Sequence, residues 1–160
     1  MVKVEEIAEK YKGYEVDEEK LKEFLTLPKP KTAWDLKVGD VYYWTDSCGE
    51  IASCEWSNCK TDIMRRSTGS CFLTREEAEF EVERHKVEVI FLKYGRREFL
   101  CNRDNWLLSY YDDINKFDIA SYNSLASQGT IYFDTKKLLA QVIKEAGEDN
   151  IKKYIFGVKD

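Results

Sequence analysis

The sequence predicts an α+β fold: two strand-strand-strand-helix units with mainly antiparallel sheet, preceded by an N-terminal helical arm. Three observations lead there. Aromatic residues make up 14% of the 160 residues, and they are concentrated in short runs of the kind that favours pleated, half-buried surfaces. The order of these runs occurs twice, with Phe72 and Thr74 matched by Phe133 and Thr135 at one offset of 61, which reads as an internal duplication. The opening stretch instead alternates Lys and Glu around Val4, Ile7, Leu21, Phe24 and Leu25, a helical spacing.

Residues 1–27 therefore read as an arm of two short amphipathic helices broken near Gly13, the second opened by Val16 or Asp17 with Glu18 and Glu19 in its first turn. Pro28-Lys29-Pro30-Lys31 cannot continue a helix, because each proline removes a donor and restrains the residue before it, so residues 28–33 form a linker. The first unit covers residues 34–95. Val41 to Trp44 and Ile51 to Trp56 flank the turn-like Asp46-Ser47-Cys48-Gly49 and predict a hairpin. Ser70 to Leu73 supplies a third strand. Thr74 followed by Glu77 is a capping box whose helix runs to about Tyr94, with Ala78, Val82, Val89 and Leu92 on one face and Gly95 as its stop.

The second unit, residues 96–160, follows the same order. Trp106 to Tyr111 and Phe117 to Tyr122 form a hairpin, Gly129 to Phe133 a third strand, and Thr135 to Gly147 bounds a helix, with a further helix at the C-terminus. The two units form one domain, their sheets packed edge to edge or face to face with the helices outside and most aromatics joining them. They differ between the second and third strands. There the first unit carries a long loop, Ser57 to Thr68, where the second has only Ser124 to Gln128, and loops of that length are often functional.

Composition narrows the function. The formal net charge is -5, so long-range attraction to nucleic acid or an anionic membrane is not expected. No apolar run is long enough to span a membrane and the acidic start does not resemble a signal peptide, which places the chain in the cytoplasm. The five cysteines, 48, 54, 59, 71 and 101, are odd in number and read as reduced thiols. Their spacing lacks the short knuckles of a structural zinc site, so no metal is expected and the cysteines serve as small hydrophobes.

An enzyme would need parts that are missing. His85 sits between Arg84 and Lys86 with no nucleophile motif nearby, Asp112 and Asp113 occupy a hairpin turn, and no phosphate loop or dinucleotide fingerprint is present. No catalytic residue and no cofactor are assigned. Lys93, Arg96, Arg97 and Arg103, interleaved with Tyr94, Phe99 and Trp106, offer a local nucleic-acid patch as the alternative function. Protein binding is the leading reading. Its residues are Trp56, taken as an exposed anchor, and Arg65 and Arg66 on the long loop, since aromatic and arginine side chains are the usual anchors of interfaces.

Three phrases add a resemblance: Trp34-Asp35-Leu36-Lys37-Val38-Gly39-Asp40-Val41-Tyr42-Tyr43, Phe72-Leu73-Thr74-Arg75-Glu76-Glu77-Ala78-Glu79, and Gly147-Glu148-Asp149-Asn150-Ile151-Lys152-Lys153-Tyr154-Ile155-Phe156-Gly157-Val158. Through them the chain resembles a family of small uncharacterised proteins encoded by phages, prophages and mobile elements of Firmicutes. The motifs fall at strand starts, a helix cap and a terminal helix, so the resemblance implies no catalytic residue. It implies a phage-type accessory protein that binds host machinery, in the manner of an anti-CRISPR inhibitor of a defence system.

Overall fold

The computed structural model describes residues 4–14 and 31–158, in a chain that divides into two compact units, Met1–Lys31 and Thr32–Asp160. In the first unit, α1 (Val4–Lys10) carries Glu5 and Glu6 in its first turn and Lys10 in its last, the charge order its dipole favours. It ends in a turn at Gly13, whose φ of 95° suits glycine. The second predicted arm helix and the prolines of the linker lie outside the described residues.

The second unit begins with a 3-10 turn, Ala33–Asp35, capped by Thr32, and holds two sheets. β1 (Val41–Thr45) is the middle strand of the first sheet, paired antiparallel with β2 (Ile51–Glu55) on one side and β3 (Cys71–Phe72) on the other. The β1–β2 turn is closed by Asp46, whose Oδ1 accepts from the backbone N–H of Cys48 and of Glu50, both at 2.8 Å. In the second sheet β4 (Asn105–Tyr111) pairs antiparallel with β5 (Lys116–Tyr122). The third strand expected over Gly129 to Phe133 shrinks to two isolated bridges. Tyr132 pairs with Arg96 while Phe133 pairs with Trp106, so neighbouring residues serve different partners and no ladder extends. Both predicted strand-strand-strand-helix repeats thus place the first strand of the hairpin centrally, a likeness of topology that does not by itself establish duplication.

Between β2 and β3 stands α2 (Lys60–Ser67), and after β3 comes α3 (Arg75–Tyr94). α4 (Lys136–Ala146) and α5 (Glu148–Tyr154) close the chain, divided at Gly147 with φ 82°. The two repeated threonines do the same work. Thr74 accepts from Glu77 N at 3.2 Å and Thr135 from Leu138 N at 3.3 Å, each satisfying a donor that the first helical turn leaves free.

α3 corrects the expected layering. Its buried residues are Ala78, Val87 and Phe91, and the nine-residue step from Ala78 to Val87 turns the helix by about half a revolution beyond whole turns. The helix buries opposite sides at its two ends. Its N-terminal half covers the first sheet, and the side bearing Val87 and Phe91 enters the second core with α4, α5 and the β4–β5 sheet. A helix between the two sheets, rather than aromatics joining them, connects the halves. Val89 continues the Ala78 and Val82 side and is 50% exposed, because the first sheet has ended by that level. Ten of the 22 aromatics divide between two separate cores, one around Tyr42 and Trp56, the other around Phe91 and Phe133.

Gly95 ends α3 with an ordinary extended backbone, so its necessity is steric. An added Cβ would lie 2.6 Å from Ile131 Cγ2, 2.8 Å from Phe133 Cε1 and 2.9 Å from the Tyr132 carbonyl. The carbonyl is held by its bond to Arg96 N and cannot yield cheaply. Gly95→Ala is expected to destabilise the protein by about 2–3 kcal/mol in urea unfolding; an unchanged midpoint would show that the Arg96–Tyr132 bridge is loose.

Candidate protein-binding face

The long loop expected over Ser57 to Thr68 holds α2. Asn58 enters the left-handed region at φ 59°, which asparagine tolerates better than most residues, and Cys59 then serves as N-cap. Asp62, three residues on, reaches back to Cys59 N at 3.2 Å, so a Cys-x-x-Asp pair performs the capping box. The same carboxylate is 3% exposed and accepts from Tyr42 Oη at 2.8 Å, Ser57 N at 2.8 Å and Ser57 Oγ at 2.9 Å. Burial opposes its charge, yet these donors outweigh burial and hold its carboxyl well below the usual range. Burial, together with the Cys54 thiol and the Asp62 carboxylate, pushes the Tyr42 hydroxyl far above the usual phenol range against the pull of Arg65.

Arg65 lies one turn beyond Asp62 on the inner side of α2. Its Nη1 donates to Tyr42 Oη at 2.9 Å and to Cys54 Sγ at 3.4 Å, and its guanidinium lies 3.6 Å from the centre of the Trp44 ring. It is an anchor of the helix and not a free contact. Trp56, expected as an exposed anchor, is 2% exposed: it stands edge-on to Tyr42, with ring centres 5.7 Å apart, and receives Arg66 on its face at 4.5 Å. Its alternation with Cys54 along the strand carries it under α2. On the other side of Arg66 stands Trp34, 4.8 Å away and 68% exposed.

With Asp62 and Arg65 turned inward, the residues between them turn outward. Ile63 is 44% exposed and Met64 55%. Lys60, one turn before Met64, is exposed as well. The outer surface of α2 thus presents two apolar side chains and a cation, bordered by the Arg66 guanidinium under Trp34. No family model, curated protein or solved structure matches the chain. The chemistry of this face has to be read from the face alone: it has no nucleophile paired with a base, and it exposes the apolar, aromatic and arginine groups that anchor protein interfaces.

The other residues singled out in the sequence fare differently. The cations proposed for nucleic acid are largely neutralised. Lys93 pairs with Glu145 at 2.7 Å, Arg96 with Asp134 at 3.2 Å and Arg97 with Glu88, leaving Arg103 alone of the four without a carboxylate partner among the described residues. Their aromatic companions are half-buried and already engaged: Trp106 packs against the second core, Phe99 stands edge-on to Tyr132, and Tyr94 donates to Glu145. Asp112 and Asp113 belong to the β4–β5 turn, where Asn115 N donates to the Asp112 carbonyl.

None of the five cysteines is in a disulfide, and only Cys71 is buried with Cys54 half-buried; Cys48, Cys59 and Cys101 are exposed, so the reading of all five as core hydrophobes is corrected. The Cys59 thiol is lowered from its ordinary value, first by the Ser57 hydroxyl and then by backbone N–H groups at the start of α2. Cys48 and His85 line one open groove of about 540 Å³ between the β1–β2 turn and α3, with no hydrogen bond joining them. Among the described residues no group of three His, Cys, Asp or Glu side chains is placed to hold a metal, and no helix is long and apolar enough to cross a membrane.

Proposed function

We propose that the protein acts by stoichiometric protein–protein binding through the outer face of α2 and Trp34. It is read as a phage-type accessory protein in the host cytoplasm that covers a functional site on a host or defence-system protein, the anti-CRISPR-like mode that the sequence resemblance implies. The observation that carries the binding reading is α2 itself. This helix has no counterpart in the second strand-strand-strand-helix unit, residues 96–160, Asp62 and the two arginines fix it to the sheet, and yet Ile63 and Met64 are exposed. A buried carboxylate and two guanidinium groups set over aromatic rings hold in place a helix whose outer side chains, Ile63 and Met64, are 44% and 55% exposed. Rigid presentation of apolar anchors lowers the ordering cost of association.

The nucleic-acid reading has less support, because three of its four cations already neutralise carboxylates. Affinity capture from a Firmicute lysate, quantified by mass spectrometry, tests the proposal. Wild-type protein is expected to retain one protein in near-equimolar amount, Ile63→Asp/Met64→Asp to retain at least tenfold less, and Arg103→Glu to behave as wild type. Equal retention by all three would remove α2 from the binding surface.

A further inference from the structure

Arg66 differs from every other arginine of the core-facing sites. Arg65, Arg84, Arg96 and Arg97 each have a hydrogen-bonding partner, whereas among the described residues Arg66 has aromatic partners only. Its guanidinium lies over two indoles, 4.8 Å from the centre of the Trp34 ring and 4.5 Å from that of Trp56, and its Nε–H is fully covered with no acceptor among the described residues. Aromatic faces attract the cation but supply no oxygen for its N–H donors, and a covered donor left unpaired is costly. Nε is its only nitrogen both covered and unpartnered, so the outer Nη edge is the one open to solvent.

We infer that Arg66 is a preorganised carboxylate receptor, and that the partner of the α2 face presents an aspartate or glutamate flanked by apolar residues. This rests on the protein-binding reading above and adds the chemistry of the partner. A carboxylate meeting the outer edge of a guanidinium forms two parallel charge-assisted bonds. The stacked indoles have already fixed the plane of the fork, so little side-chain freedom remains to be lost. Apolar flanks follow from Ile63, Met64 and the exposed face of Trp34 beside it, and Lys60 adds a second positive charge on the same helix. A phosphate backbone would also satisfy a guanidinium, but polyanion binding depends on many cations, and here two cations stand among apolar groups on a chain of net charge -5.

The test is selection of a random dodecapeptide display library on the intact protein, followed by affinity measurements on the enriched peptides. Enriched sequences are expected to place Asp or Glu beside Leu, Ile, Phe or Trp, and conversion of that residue to Asn or Gln to weaken binding at least tenfold. Arg66→Met keeps a linear side chain between the indoles and removes the charge. It is expected to bind the acidic peptide at least tenfold more weakly and to abolish the difference between acid and amide. Arg66→Lys, retaining the charge without the fork, serves where Arg66→Met does not fold by circular dichroism, and is expected to lose most of the acid preference. Peptides that depend on Ile63 and Met64 but bind equally as acid and amide would overturn the receptor and leave the face standing. Failure to enrich any peptide dependent on Ile63 or Met64, or tighter binding of dodecathymidylate than of any peptide, would overturn both.

Discussion

Asp62→Ala is expected to destabilise the protein by about 3–5 kcal/mol, the range for removing one partner from a buried charged network. The substitution strips the acceptor from Tyr42 Oη, Ser57 N, Ser57 Oγ and Cys59 N together. Tyr42 is wholly buried, so its hydroxyl gains no water in exchange, and Arg65 loses the anion nearest its own partner. Against a typical domain stability of about 5–15 kcal/mol this is a large fraction. Asp118→Ala, on the exposed side of β5, is the matched control and should stay within about 0.5 kcal/mol. The pH dependence has a definite sign. Because the folded carboxyl is held below its unfolded value of about 3.9, its contribution is fully present above about pH 4 and is lost as pH falls. The stability gap between wild type and Asp62→Asn should therefore narrow on acidification below about pH 4. A gap that is constant with pH would mean that Asp62 acts as a neutral acceptor.

Phe133→Ala is expected to cost about 3–5 kcal/mol, the usual range for emptying a buried aromatic site. The ring is 0% exposed, edge-on to Phe91 at 6.0 Å between centres, and lies against the α3 terminus at Gly95. Its backbone exchanges two hydrogen bonds with Trp106, which tie the segment to β4. The cavity would open between α3 and the β4–β5 sheet, where neither side can collapse without moving a whole element. Urea unfolding monitored by tryptophan fluorescence and by circular dichroism should give one coincident, shifted transition. A loss below about 1 kcal/mol would mean that the second core is looser than its packing indicates.

Both hairpins, four of the five described α-helices and both threonine caps were legible because their signals are local: a turn composition between alternating runs, a helical apolar spacing, or a threonine one helical turn before the donor it caps. α2 was not legible for an equally local reason. Its cap is a cysteine, and its apolar residues Ile63 and Met64 point outward, so no buried periodicity marks it. The single-face reading of α3 failed at Val89 because one helix serves two partners on opposite sides. At the site, the aromatic partners of Arg65 and Arg66 were not legible, since Trp44 is 21 residues from Arg65 and Trp34 is 32 from Arg66. The neutralising carboxylates Asp134 and Glu145 are likewise 38 and 52 residues from Arg96 and Lys93, and only folding brings them together. Trp56 carried a usable signal that went unread. Its two-residue step from Cys54 places it on the face that Tyr42 buries.

Site-specific photocrosslinking in a Firmicute host tests the central claim most directly. A benzophenone amino acid replaces Met64 on the outer face of α2, and in a separate variant Lys136 at the exposed start of α4. The account predicts that irradiation joins the Met64 variant to one host or defence-system protein as a one-to-one adduct, and that the Lys136 variant gives none. Adducts from Lys136 but not from Met64, or adducts to nucleic acid alone, would contradict it.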